Sequence, residues 1–484
     1  MGQQLTDAHM VFSSLFFLFA FLPAVLLAYY GRRLLLKDRL RNLTLLVASY
    51  LFYLFGAPDF ILLLIASTLF DDAMGRLMGR FPRYKRLWLV LSVALNLGLL
   101  VWFKYANFTV AQSAAFLDRI GIDANGWQAV ALPVGISFFT FQKLSYTIDV
   151  YRGRCRPTAN LLDFAMYVAL FPQLVAGPIV RYRDIRDQIR QRRESVTLFY
   201  NGALRFCWGL GKKVLLADVC GRFADAAFGL PAAALDTRSA WLGALAYTLQ
   251  IYLDFSAYSD MALGLGMLFG FRFLENFNRP YSAVSLTDFW RRWHISLSQW
   301  FRDYLYFPLG GSRGGPFRTY FNLTLVFLLC GLWHGANWTF VVWGVYHGLF
   351  LVMERISGLR RLPDRRWYGV RRGLTLLMVA CGWVIFRSEN LTQAGQMLAA
   401  MFTLRTLEIP AALLAVLDMH NIVFLLCAAT ALVLPAGGMD AEPQMTQRPL
   451  LVALTAALLF LVLLPWCAAV LASGSPNPFI YYRF

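Results

Sequence analysis

Residues 289–298 read FWRRWHISLS, and residues 331–338 read GLWHGANW. Each segment carries one histidine, His294 or His334, directly after a tryptophan. The chain around them is strongly apolar, and ionisable side chains inside a membrane protein are costly and therefore indicate function. Histidine is well suited to burial, because it can stay neutral and still exchange a proton near pH 7. The two segments therefore decide both the fold class and the candidate site.

The composition is that of a membrane protein. Of the 484 residues, 58% are hydrophobic and 15% are charged, whereas soluble domains carry about 25% charged residues. Many apolar windows of roughly 17 to 25 residues are long enough to cross a bilayer as helices. We therefore predict an all-α, polytopic integral membrane protein with roughly 10–13 membrane helices, including re-entrant or interfacial ones. Residues 1–9 are predicted to form a polar N-terminal extension, with Met10 as an alternative start, and residues 10–484 one membrane-embedded domain.

The charge distribution indicates which partners to expect. The net charge of +18 comes from 45 Lys and Arg against 27 Asp and Glu. The cations cluster in short loops between apolar spans, which is the pattern of cytoplasmic loops in membrane proteins. This distribution argues against nucleic acid as a partner and favours contact with membrane lipid. The seven cysteines form no CxxC pair, so they predict neither a disulfide framework nor a zinc site.

Two stretches are predicted to depart from simple membrane crossings. Leu161 to Val180 is apolar, but it lies between two arginine-rich segments that both belong in the cytoplasm, and it contains Pro172 and Pro178. It is predicted to be re-entrant or broken, a geometry tolerated at membrane depth only inside protein or beside water. Trp290 to Tyr306 has too many charges to span, and its interleaved aromatic residues predict one amphipathic helix at the cytoplasmic interface.

His334 is the first catalytic candidate. It follows about 15 residues of membrane entry, which at ~1.5 Å per residue places it deep in the bundle. Gly331 and Gly335 allow a backbone or a substrate to approach closely. A buried neutral imidazole can accept the proton of an attacking hydroxyl as a general base. The structural alternative is a histidine that is hydrogen-bonded to a neighbouring helix.

His294 is the second candidate and lies beside Arg291 and Arg292. Guanidinium groups bind phosphates through a planar fork of donors, so both arginines are candidate contacts of a phosphorylated donor. The alternative is an interfacial helix with snorkelling arginines. One histidine would face the cytoplasm while the other lies within the membrane, which suits the transfer of a group across it. No third ligand at the usual spacing accompanies the histidines, so no metal site is predicted.

The two histidine segments resemble the signatures of membrane-bound O-acyltransferases, and most closely those of the bacterial alginate O-acetylase branch. The resemblance covers nearly the whole chain. It includes LPVGISF at residues 132–138, DFSAYSDMA at residues 254–262 and ENF at residues 275–277. Residues 478–484, PFIYYRF, are similar to the aromatic tail of this branch.

This resemblance implies a funnel of tilted helices with the catalytic His334 at a constriction. It implies that acetyl groups from acetyl-CoA or another cytoplasmic thioester pass across the bacterial inner membrane, with no cofactor bound. A periplasmic SGNH-type acetyltransferase, together with a polysaccharide synthesis and export complex, would then O-acetylate an exopolysaccharide such as alginate. His294 would act with His334 in catalysis, and Trp293, Trp333 and Asn337 are further candidate contacts of substrate or donor.

The residues leave three functional interpretations open. In an acyltransferase, His334 would deprotonate the acceptor hydroxyl, and His294 or Asn337 would stabilise the oxyanion at the thioester carbon. A transporter or flippase for a polysaccharide precursor or an acyl group would instead use the broken segment with Asp254 and Asp260 as substrate or ion sites. A scaffold for polysaccharide synthesis would not need His334.

Overall fold

The computed structural model describes residues 10–35, 40–119, 127–360, 364–406, 408–431, 449–474 and 479–480. Every regular element in these ranges is helical, and no strand occurs among them, which confirms the predicted all-α class. The chain divides into two compact units, Met1–Gly202 with Leu265–Leu274, and Ala203–Gly264 with Glu275–Phe484. The polar extension predicted for residues 1–9 lies outside the described residues, and the single domain stays a prediction.

The first unit contains a series of helices and the first part of a helix shared with the second unit. These are α1 (Leu22–Leu35), α2 (Arg41–Gly56), α3 (Ile61–Arg80), α4 (Lys85–Arg119), α5 (Ile136–Tyr151), α6 (Leu161–Ala169), α7 (Phe171–Leu174), α8 (Tyr182–Gln191) and α9 (Val196–Gly211). Within this unit, Lys143 of α5 and Asp71 of α3 are fully buried, with 3.6 Å between Nζ and Oδ2. Ser92 and Asn96 of α4 donate further hydrogen bonds to Asp71. The pair is thus hydrogen-bonded on the carboxylate side, as a buried charge requires.

The segment Leu161–Val180 is broken, as the sequence predicts. α6 ends at Ala169, α7 lasts four residues, and no helix forms again until Tyr182. The hydroxyl of Tyr167 donates to the carbonyl of Val180 over 2.8 Å, so a side chain satisfies part of the irregular backbone. Irregular backbone inside a membrane protein needs such internal partners. Whether the segment re-enters the same membrane face stays a prediction.

The second unit holds the remaining helices, apart from the last residues of α11, which belong to the Leu265–Leu274 segment of the first unit. These are α10 (Asp218–Phe228), α11 (Thr237–Leu268), α12 (Leu286–Arg292), α13 (Ile295–Phe301), α14 (Gly315–His334), α15 (Trp338–Ile356), α16 (Tyr368–Arg387), α17 (Leu391–Phe402), α18 (Ala411–Leu414), α19 (Met419–Ala431), α20 (Pro449–Ala457) and α21 (Leu464–Ala472). Short π-helical turns at Lys212–Ala217 and Leu458–Leu463 continue the helical run between α9 and α10 and between α20 and α21.

Several helices have the length and composition of membrane spans. Pro82–Ala114, Tyr368–Arg387 and Ala453–Ala472 are long and apolar enough to cross a bilayer, and Phe17–Gly31 and Met419–Thr430 are shorter apolar helices. The polytopic membrane class is therefore confirmed, while the total of roughly 10–13 membrane helices and the funnel stay predictions.

The predicted single amphipathic helix over Trp290–Tyr306 is wrong. α12 ends at Arg292, α13 begins at Ile295, and a π-helical turn covers Arg302–Tyr306. The break lies at His294, whose φ of 44° is in the left-handed region. Hydrogen bonds to Asn276, which lies outside this stretch, stabilise the break. The charge pattern of residues 290–306 could not predict them.

α14 and α15 form a closely packed helical hairpin in the second unit. A Cβ atom on Gly331 would collide with the carbonyl of Phe340, and one on Gly344 would collide with the carbonyl of Phe327. A Cβ on Gly348 would lie 2.9 Å from the Cα of Thr324. The two helix backbones can approach this closely because small residues occupy the crossing. This packing fixes His334, the last residue of α14, relative to the side chains of α15.

Candidate active site

His294 lies at a sharp corner between two short helices. Ser285 caps the start of α12, because its hydroxyl accepts a hydrogen bond from the backbone N–H of Asp288 over 3.0 Å. Glu354 of α15 also binds this helix start, accepting from the N–H of Leu286 at 2.5 Å and of Thr287 at 2.9 Å. The left-handed conformation of His294 is uncommon for a residue other than glycine. Such strain costs of order 1–3 kcal/mol and persists only where the surroundings impose it.

Asn276 imposes this conformation. Its backbone carbonyl accepts from the N–H of Ile295 over 2.9 Å. Its side-chain Oδ1 accepts from the N–H of Ser296 at 3.2 Å and from the hydroxyl of Ser296 at 2.9 Å. The same Oδ1 lies 3.1 Å from Nδ1 of His294. Asn276 is fully buried, so these hydrogen bonds form away from competing water.

His334 ends α14 inside a group of aromatic rings. Its ring centroid lies 5.0 Å from that of Trp333, 5.3 Å from that of Trp343 and 5.2 Å from that of Phe386. All three contacts are edge-to-face, the arrangement that aromatic quadrupoles favour. His334 is 6% exposed and His294 1% exposed, so both catalytic candidates are buried.

Trp333 brings the two histidines together. Its ring centroid is 6.2 Å from that of His294 and 5.0 Å from that of His334. The ring of Phe255 in α11 packs edge-to-face on His294 at 4.7 Å. The structure thus joins His294, His334 and Trp333, three of the residues predicted from the sequence, in one cluster of the second unit.

The other predicted residues have different surroundings. Arg291 is exposed, whereas Nε of Arg292 lies 2.8 Å from the carboxylate of Asp288 in its own helix. Trp293 is buried in an aromatic core, 4.9 Å from the ring of Trp383 and 5.6 Å from that of Phe289. These positions give Arg292 and Trp293 structural contacts, and their proposed contact with a donor stays a prediction.

Asn337 caps the start of α15. Its Oδ1 accepts from the N–H of Thr339 at 3.1 Å, and its Nδ2 donates to the carbonyl of Glu389 at 2.8 Å. A capping asparagine contributes about 1 kcal/mol to helix stability. One of its amide hydrogens is therefore committed to structure, which weakens the case for Asn337 as an oxyanion donor.

His347 is a residue that sequence reasoning missed. It is 1% exposed, and its ring lies 4.9 Å from that of Trp343 and 5.1 Å from that of Trp290. Trp343 therefore contacts both His334 and His347. The signal in the sequence was the spacing of Trp343 and His347, four residues apart, which places them on one helix face. Asn276 was also missed as a site residue, and no local spacing points from it to His294.

Charge and metal binding can be assessed from the same geometry. Burial lowers the pKa of His294 to about 3, so the ring is neutral at physiological pH. Asp254 and Asp260, the candidate ion sites of a transporter, are both paired. Lys213 lies 2.7 Å from Asp254, and Lys212 lies 2.5 Å from Asp260. Over the ranges that the structure describes, no group of three or more His, Cys, Asp or Glu is placed to hold a metal ion.

Fold and site together define a polytopic helical membrane protein whose two buried histidines contact one tryptophan. The chain belongs to the membrane-bound O-acyltransferase (MBOAT) family, whose sequence model matches residues 155–390, a range that contains both histidines. It is therefore an O-acyltransferase, and this assignment favours the enzyme over the transporter and scaffold interpretations.

Curated relatives support the assignment over most of the chain. The probable alginate O-acetylase AlgI of Pseudomonas aeruginosa is 49% identical over 403 residues, covering 83% of this chain and 76% of that protein. The probable alginate O-acetylase AlgI of Azotobacter vinelandii is 50% identical over 402 residues, covering 81% of this chain and 78% of the relative. The peptidoglycan O-acetyltransferase of Helicobacter pylori is 36% identical over 430 residues, covering 81% of this chain and 80% of that protein.

Proposed function

We propose that this O-acyltransferase takes acetyl groups from a cytoplasmic thioester and passes them across the bacterial inner membrane for O-acetylation of an exopolysaccharide, with alginate as the first candidate. The names of the relatives support polysaccharide O-acetylation. The observation that carries the proposal is the position of Trp333 against both His294 and His334, which gives acyl transfer two proton-handling groups in one buried cluster.

The reaction moves one acyl group and one proton. The oxygen of an acceptor hydroxyl attacks the thioester carbonyl carbon, and the carbon–sulfur bond breaks to release a thiol. The hydroxyl proton leaves on a base and ends on the thiolate sulfur. A histidine serves as the base because it is neutral before the step and can carry the proton during it. A second polar group stabilises the oxyanion that forms at the carbonyl carbon.

The orientation of the protein in the membrane determines from which side the acyl donor approaches and on which side the partner enzyme works. Acetyl-CoA or another acetyl thioester approaches from the cytoplasm, where the basic loops lie. The acetyl group is delivered to a periplasmic SGNH-type acetyltransferase that works with the polysaccharide synthesis and export complex. Both parts of this proposal rest on the sequence pattern and on the resemblance to the alginate O-acetylase branch.

The test follows labelled acetyl groups into polymer. Cells that lack their own enzyme but make the polymer and the periplasmic partner receive this chain or its His334→Ala variant. We expect polymer O-acetylation with the wild-type chain and none with His334→Ala, although the variant still inserts in the membrane. The matched control is His420→Ala, since His420 is exposed on α19 and should leave acetylation unchanged.

Two results would contradict the proposal. Full acetylation by a well-inserted His334→Ala variant would favour a scaffold. Movement of label across vesicles without cleavage of radiolabelled acetyl-CoA would favour transport without acyl-transfer chemistry.

A further inference from the structure

Three aromatic rings, here called the aromatic wall, border His334 within the second unit. They belong to Phe340 and Trp343 of α15 and to Phe386 of α16. We propose that Phe386 is a specificity-determining residue, which together with Trp343 restricts the transferred acyl group to acetyl and excludes longer chains. This inference deepens the proposed function and rests on it, with His334 as the base.

Acyl transfer places the reacting carbon close to the imidazole of His334. A general base lies about 2.6–3.2 Å from the hydroxyl oxygen whose proton it takes, and the reacting atoms are about 3–3.5 Å apart before the bond forms. The thioester carbon therefore lies within roughly 6–7 Å of the imidazole. The ring centroids of Phe386 and Trp343 are 5.2 Å and 5.3 Å from that of His334. The acyl chain that extends from the carbon is thus within reach of these rings.

The rings of the aromatic wall also contact one another. The centroids of Phe340 and Phe386 are 4.9 Å apart, and those of Phe386 and Trp343 are 5.2 Å apart. A Cβ atom on Gly335 would collide with the ring of Phe340, so this ring lies directly against the residue that follows His334. All three rings are buried. Buried rings in mutual contact leave little room between them for a further methylene group, because protein interiors are close-packed.

Trp383 of α16 supports the aromatic wall from behind. Its ring is stacked on Trp343 at 6.1 Å and packs edge-to-face on Phe386 at 5.6 Å. Its Nε1 donates a hydrogen bond to the hydroxyl of Tyr281 over 3.2 Å, and that hydroxyl donates to the carbonyl of Thr248 over 2.7 Å. These bonds fix the orientation of the buried indole. A longer acyl chain would therefore have to displace several buried rings, and overpacking of this kind is unfavourable.

Phe386 is a better residue for the test than Trp343. The ring of Trp343 also packs on Trp290 and His347, so its loss would disturb contacts unrelated to the acyl group. Replacement of Phe386 by alanine removes a phenyl ring that contacts the imidazole directly. The surroundings of such a deletion relax only partially, so a cavity remains. That cavity would adjoin the reacting carbon and could accept a longer acyl chain.

The experiment compares two donors that differ by one methylene. Membranes that contain this chain, the periplasmic partner and the polymer receive acetyl-CoA or propionyl-CoA labelled in the acyl group, and kcat/KM for transfer of label is measured for each. We expect the wild type to prefer acetyl-CoA by about 10–200-fold, the range that one methylene gives in a close-fitting pocket. Phe386→Ala should reduce this preference by about tenfold or more. Phe386→Leu keeps more of the side-chain volume and should reduce it less.

The matched control is Phe52→Ala in α2 of the first unit. Phe52 is buried, and its ring packs on those of Phe171 at 5.7 Å and Phe21 at 5.8 Å. The control removes the same side chain from a buried aromatic cluster, so it should also lower stability, but we expect it to keep the wild-type preference for acetyl-CoA. Because the partner and the polymer are the same in every membrane, a change in the preference belongs to this chain.

Two results would overturn the inference. One is a Phe386→Ala variant with the wild-type ratio of acetyl to propionyl transfer, and the other is a wild-type chain that uses both donors equally well. If Phe386→Ala does not insert in the membrane, the same comparison with Phe386→Leu decides. A wild-type chain that transfers no label from either donor contradicts the proposed function instead, so the two failures are distinguishable.

Discussion

Arg291 and Arg292 differ in what they can offer a phosphorylated donor. Arg291 is exposed, whereas the guanidinium of Arg292 is engaged by Asp288 one helical turn away. We expect Arg291→Gln to raise the acetyl-CoA concentration needed for half-maximal transfer more than it lowers the maximal rate, because it removes binding and not chemistry. Arg292→Gln should also lower the maximal rate of transfer, because it releases Asp288 from its ion pair within α12. Initial rates in vesicles over a range of acetyl-CoA concentrations measure this, and unchanged donor dependence in both variants would leave the arginines as snorkelling side chains.

The tight packing around the His347 ring can be tested by substituting Gly382 of α16. A Cβ atom on Gly382 would lie 2.8 Å from Nε2 of His347, whereas one on Gly373 of the same helix would meet nothing within 4 Å. Gly382→Ala should displace the His347 ring and destabilise the protein by about 1–3 kcal/mol, the usual cost of overpacking. Gly373→Ala should be neutral or slightly stabilising, since alanine is about 1 kcal/mol better than glycine in a helix. Thermal unfolding in detergent compares the two, and equal midpoints would show that the ring can move aside.

At the scale of elements, Glu354 ties the start of α12 to α15. Its carboxylate accepts two backbone N–H bonds and the hydroxyl of Thr287 at 2.8 Å. Glu354→Ala leaves these donors without an acceptor, and each buried unsatisfied donor costs about 1–3 kcal/mol. We expect a lower unfolding temperature and a lower rate of acetyl transfer, because α12 leads directly to His294. Glu354→Gln keeps one accepting oxygen and should retain most of both properties; if it behaves like Glu354→Ala, the charge and not the cap is what matters.

At the scale of the whole molecule, the membrane orientation can be tested by cysteine labelling. The sequence pattern places Arg291 on the cytoplasmic side and the end of the His334 segment toward the periplasm. Glu389, whose carbonyl accepts from Asn337, is exposed and marks that end. With the native cysteines replaced, Glu389→Cys should react in intact cells with a membrane-impermeant thiol reagent, and Arg291→Cys only after lysis. Labelling of Arg291→Cys from outside would invert the orientation and exclude donor entry from the cytoplasm beside His294.

The sequence by itself determined the fold class, the family and the two histidines. Apolar length and the placement of cations are local properties, so they predict a helical membrane protein without any knowledge of packing. The segments around His294 and His334 are long and specific, and they pointed to acyl transfer. The proline-containing run at Leu161–Val180 was likewise predicted as broken, because proline interrupts a helix wherever the helix packs.

Tertiary structure alone decided which contacts bring the two histidines together. The hydrogen bond between Asn276 and His294 joins residues 18 positions apart, and Asn276 lies in a loop. No helical periodicity in the sequence could therefore predict it. The contact of Trp333 with His294 depends on the packing of α14, and the corner at His294 depends on hydrogen bonds from Asn276. For this reason one amphipathic helix was predicted where two short helices form. Long-range hydrogen bonds and ring contacts override local propensity here, because in a buried site each unsatisfied polar group costs more than the helix period gains.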